Sequence, residues 1–224
     1  MPEPASGRTG LRTRLLIVAY LAWCTAGYSV LLWSDWRYLW HVPLHAFAAL
    51  LIWKPALLRP RKASPTAPHF IMVGVAYSAF IGEPLAILGR GDLHPHLLLN
   101  SVLWIGSFTG VYLAWLWLLR RYRWRAFNVF MMCGTVALFD HSLMLWKLAG
   151  AFDAIGFLLI APVLHAVYAS MIAPAVIAYR EALAHKVDGP GIVGQAQAAV
   201  LPGVLFWIGG LWIGLVGTAL RLAA

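Results

Sequence analysis

The stretch HLLLNSVLWIGSFTGVYLAWLWLLRRYRWR, residues 96–125, decides what kind of fold this chain builds. Residues 96–119 contain no Asp, Glu, Lys or Arg, and a helix of about 20 apolar residues crosses the roughly 30 Å hydrocarbon layer of a bilayer. The run then stops on Arg120, Arg121, Arg123 and Arg125, with Trp115, Trp117, Tyr122 and Trp124 around the boundary. Arginine is retained on the cytoplasmic side of a membrane, and indole and phenol rings favour the interface. The stretch therefore reads as a membrane span whose C-terminal end lies inside.

The rest of the chain fits that reading. Of its 224 residues 62% are hydrophobic and only 11% are charged, far below the roughly 25% of a soluble domain, and the mean hydropathy is +0.76. Apolar runs of span length occur at 11–33, 39–58, 69–89, 96–119, 126–149, 152–180 and 196–220. The expected fold is thus an all-α integral membrane protein, a bundle of about seven transmembrane helices. Short connections leave room for a single polytopic domain over 11–224, preceded by a disordered cytoplasmic tail at 1–10, MPEPASGRTG. In the loop RPRKASPTAP, Pro60, Pro65 and Pro68 forbid a continuous helix.

The net charge of +9 suggests a nucleic-acid partner until its distribution is followed. With seven spans, Arg8, Arg12, Arg14, Lys54, Arg59, Arg61, Lys62, Arg120, Arg121, Arg123, Arg125, Arg180 and Lys186 share one side, 13 of the 17 basic residues. Arg37, Arg90, Lys147 and Arg221 take the other. This is the positive-inside pattern, so the N-terminus is expected in the cytoplasm, the C-terminus outside, and the protein in the cell membrane without a nucleic-acid partner. The first run has a basic start, but it continues through YSVLLW and is too long for a cleaved signal. Cys24 and Cys133 lack CxxC spacing and read as buried fillers. Gly106 with Gly110, and Gly210 with Gly214, permit close contact with a partner helix.

Ionisable groups inside the spans are the functional signal, because each costs about 2.5–3.5 kcal/mol on insertion scales and is seldom retained without use. Glu83, Asp140, His45, His141 and His165 lie within spans, with His41, His94, His96 and Asn100 nearer the external ends. At 1.5 Å per residue His45 and Glu83 fall about 9 Å deep and Asp140 and His141 about 12 to 13 Å, so the groups share the external half. Glu83 and Asp140 are the candidate catalytic carboxylates, and His45, His96, His141 and His165 the candidate metal ligands. Imidazole and carboxylate together suit a divalent metal, zinc or iron, that activates water. Spacing adds nothing specific: HExxH and the ExxH pair of diiron bundles are both missing. A membrane histidine taken singly is more often a packing or hydrogen-bonding residue than a ligand.

These residues point first to a membrane enzyme, metal-dependent, acting on a lipid or isoprenoid substrate from the external half of the bilayer. Membrane lipids and a hydrophobic small molecule are its expected partners. Three alternatives share the residues: a b-type haem electron-transfer protein, a metal-free acid/base cyclase or isomerase, and a small proton- or metal-coupled transporter. No lysine in the seventh span argues against retinal, and no GxSG motif argues for an intramembrane serine protease.

Overall fold

A computed structural model describes residues 6–34, 36–59, 66–89, 97–140, 154–184 and 188–222. Helices α1 (Ser6–Ser34), α2 (His41–Trp53), α3 (Ala67–Gly89), α4 (Leu97–Arg121), α5 (Ala126–Gly134), α6 (Ala154–Leu183) and α7 (Gly191–Leu222) follow in order, with 3-10 turns at Trp36–Trp40 and Pro55–Leu58. No strand occurs among the described residues. Four helices are long and apolar enough to cross a membrane, over Arg14–Trp33, Val102–Arg121, Ile160–Leu183 and Gly191–Leu215. The stretches His41–Trp53, Ala67–Ile81 and Ala126–Asp140 are apolar but shorter.

Departures from the expected boundaries have local causes. α1 begins at Ser6, so residues 6–10 of the expected tail are helical; Pro2 and Pro4, the nearby helix breakers, both precede it. The second run is not one helix over 39–58, because Pro55 bars Lys54 from helical geometry and holds it at φ −118° and ψ 67°. The fifth run is interrupted at Thr135, whose backbone N–H bonds back only three residues, to the Met132 carbonyl at 3.3 Å. Helical backbone resumes over 136–140.

α6 is the hub. It packs against α1, α2, α3 and α5 and touches α4, and 78% of its apolar window is buried. Tyr112 of α4 fills the space above Gly74 of α3, and Phe70, Phe108 and Trp115 complete a large-ring core beside Ile172 and Val176. α7 lies at the edge of this core, against α4 and α5, and among the described residues contributes only Ala198 and Phe206 to its buried set. There the glycines have the use expected of them: a Cβ at Gly110 would run into the Leu205 carbonyl, and one at Gly209 into the Gly106 carbonyl.

The helix ends that carry most basic residues are tied together. Arg59 donates to the Ala178 carbonyl near the end of α6, and the Tyr179 hydroxyl reaches the Leu58 carbonyl at 3.1 Å and His69 of α3. The Arg123 backbone N–H bonds the Asp188 carbonyl at 2.9 Å, just before α7.

Candidate functional site

The polar chemistry is organised by breaks in helices. Proline lacks the N–H that would bond four residues back, so Pro162 and Pro174 in α6 release the carbonyls of Leu158 and Ser170. In hydrocarbon a released carbonyl needs another donor. Trp23 of α1 supplies its indole N–H to Leu158 at 3.0 Å, and Tyr77 of α3 its hydroxyl to Ser170 at 2.9 Å. The break at Thr135 likewise releases the Met131 carbonyl, which lies 2.8 Å from His165 Nε2. Each of the three gaps is met by a side chain from a neighbouring helix.

That last contact determines the state of His165. A carbonyl only accepts, so Nε2 carries the proton and Nδ1 is left as the acceptor for the Tyr20 hydroxyl at 2.8 Å. Expected as a metal ligand, His165 here has both nitrogens engaged and no lone pair left over. Its ring also fills the space above Gly134.

His45 is the centre of a second group. Its Nδ1 lies 2.7 Å from Ser170 Oγ, and its Nε2 bonds the Tyr28 hydroxyl, so it joins α1 to α6. Ser170 lies 16 residues into α6 (170 − 154), about 24 Å along it, close to its midpoint. His45 therefore meets α6 near its middle. His41, one turn away, packs edge-on against Tyr28, Tyr38 and His45 with ring centroids 5.7 to 6.3 Å apart. Its Nδ1 is buried with no hydrogen-bond partner among the described residues. A third group joins Ser78 of α3, whose hydroxyl bonds the Met171 carbonyl at 2.8 Å and the Tyr112 hydroxyl of α4 at 2.9 Å.

Asp140 stands apart from these. It is 5% exposed, and one of its oxygens, Oδ2, accepts a hydrogen bond from Tyr168 of α6, itself 4% exposed. The residue also forms part of the wall of a cavity of about 350 Å³ at the α4–α7 seam. The other walls are mostly apolar: Leu103, Phe206, Trp207, Leu211 and Leu215, with Ser107 contributing a hydroxyl. Trp207 is held by its N–H to the Phe139 carbonyl at 3.1 Å, beside Asp140 in the chain. The arrangement is a buried acidic residue in a mostly apolar wall.

The structure thus places His45, His165 and Asp140 in separate hydrogen-bonded groups. His96 and His141, the other expected ligands, lie outside the described residues, as do Asp92 and His94. Glu83 falls on α3 and Asn100 on α4, where only the backbone is described. Among the described residues no three His, Cys, Asp or Glu side chains stand close enough to hold one ion.

Sequence reasoning missed the hydroxyls. Tyr20, Tyr28, Tyr77, Tyr112 and Tyr168 lie within apolar runs rather than at their ends, and a phenol in hydrocarbon must find a partner. Their positions, together with Pro162 and Pro174, were the available signal. No protein-family model, curated protein or solved structure matches this chain.

Proposed function

We propose that this is a seven-span membrane enzyme, N-terminus cytoplasmic and C-terminus external, in which Asp140 and Tyr168 carry out acid/base chemistry on a hydrophobic small molecule of the lipid or isoprenoid class. The observation that carries the reading is a buried acidic residue in the wall of a mostly apolar cavity. An aspartate kept in hydrocarbon is costly, and general acid/base catalysis needs such a group within reach of the substrate. Tyr168, donating to Oδ2, holds the carboxyl group in position and stabilises its charged form when a proton has left. The substrate enters from lipid, takes a proton from the Asp140 carboxyl group at one carbon, returns one to the carboxylate from another, and leaves as an isomer or cyclised product with the acid regenerated. The orientation rests on the 13 basic residues assigned to one side, supported by the tying together of the helix ends at Arg59 and Arg123.

Proton transfer to or from carbon leaves an isotopic record. Membranes containing the protein, incubated in heavy water and extracted, are expected to yield a lipid-soluble species with deuterium on carbon. With Asp140→Asn the label should fall by about 10²-fold or more, and with Tyr168→Phe by a smaller factor. Equal labelling in wild-type and Asp140→Asn membranes, with both proteins present in equal amount, would falsify the assignment.

A further inference from the structure

The α4–α7 seam holds a second groove on the far side of the Gly110–Leu205 contact from Asp140. Its volume is about 770 Å³, and its lining is formed by Leu113, Trp117, Ala196, Val200, Leu201 and Val204, with no charged residue. At its mouth α4 ends on Arg120 and Arg121, both exposed. The Arg121 guanidinium lies 5.2 Å from the Trp117 ring centre and 5.9 Å from that of Tyr122. Tyr122 in turn donates to Gln197 Oε1 on the facing helix at 2.9 Å, which closes the end of the groove.

We propose that this groove binds an anionic phospholipid, with an acyl chain between α4 and α7 and the phosphate held by Arg120 and Arg121. An apolar groove on a membrane-facing seam is filled by lipid, and two neighbouring guanidinium groups at the interface select a negatively charged headgroup over a zwitterionic one. Trp117 serves both parts, with its ring against the chain and its face toward Arg121. The site is independent of the chemistry at Asp140.

Native mass spectrometry of the full chain, released from vesicles of equal phosphatidylcholine and phosphatidylglycerol, tests the proposal. Wild type should retain phosphatidylglycerol about tenfold over phosphatidylcholine, roughly the selectivity of one to two basic residues near a membrane surface. The Arg120→Gln, Arg121→Gln double variant should lose that preference. Ala196→Trp, which fills the groove from an exposed position, should lose the bound lipid while keeping both arginines. No preference in wild type, or its persistence in the double variant, overturns the site. Retention by Ala196→Trp as in wild type reduces it to general surface attraction and overturns the groove. Both sets of substitutions fall on exposed residues, and helical circular dichroism confirms that the proteins compared are folded.

Discussion

α6 and α7 are almost the same by the measure that finds membrane helices, with mean hydropathy 1.8 over Ile160–Leu183 and 1.9 over Gly191–Leu215. In the bundle they are opposites: 78% of the first window is buried and 22% of the second. Lipid is as apolar as a protein core, so transfer from water does not distinguish a helix facing protein from one facing acyl chains. What separates them is side-chain chemistry. α6 carries His165, Tyr168, Ser170 and Tyr179, all of which bond to other helices. α7 also bonds its neighbours, through Gln197, Trp207 and the Ala199 carbonyl, but it approaches them most closely at Gly203, Gly209 and Gly210. The first helix is tied in chiefly by donors and acceptors, the second chiefly by removal of side chains.

The strongest test of this contrast is truncation. Ile172 on α6 is fully buried, whereas Leu211 on α7 is well exposed. Ile172→Ala should destabilise the protein by about 2–4 kcal/mol through lost packing, and Leu211→Ala by about 0.5 kcal/mol or less, since lipid replaces the missing atoms. Unfolding in mixed detergent micelles measures both. Equal losses would mean that α6 is not the hub.

A smaller effect is expected where α7 meets α4. Gly110→Ala places a methyl group against the Leu205 carbonyl, backbone that has no alternative rotamer. Overpacking there should cost about 1–3 kcal/mol and separate the seam, without disturbing Tyr77, Ser78 or Tyr112 on the α6 side. Tryptophan fluorescence, with unfolding free energy, reports the change. An unaltered stability would show that the seam is looser than its glycines imply.

The smallest effect tests the logic of the proline breaks. Tyr77→Phe removes the donor to the Ser170 carbonyl and should cost about 0.6–1.5 kcal/mol. Pro174→Ala restores an N–H four residues beyond Ser170, so the same Tyr77→Phe change in that background should cost appreciably less. Additive losses would show that Tyr77 contributes through packing alone.

Much of this was legible before any coordinates. The spans over α1, α4, α6 and α7 follow from length and hydropathy, and the candidacy of Asp140 from the cost of a carboxyl group in hydrocarbon; the end of α2 before Pro55 was passed over in a run expected to reach residue 58. The interruption at Thr135 was hidden, because threonine is compatible with a helix and its hydroxyl bonds both the Met132 carbonyl of its own turn at 2.7 Å and a tertiary partner, the Ala199 carbonyl, at 3.0 Å. The role of His165 was hidden with it, since the carbonyl that determines its tautomer is released only by that interruption.

The sequence by itself determined that the chain is helical and apolar enough for a membrane, and it marked the residues that are expensive there. Only the tertiary structure decided that α6 is central and α7 peripheral, that His45 and His165 serve different hydrogen-bonded groups, and that Asp140 meets Tyr168 at the wall of a cavity. The division has a physical origin. Partition into an apolar phase is a sum over residues and can be read along the chain, whereas a hydrogen bond between helices depends on the direction and distance of two groups far apart in it.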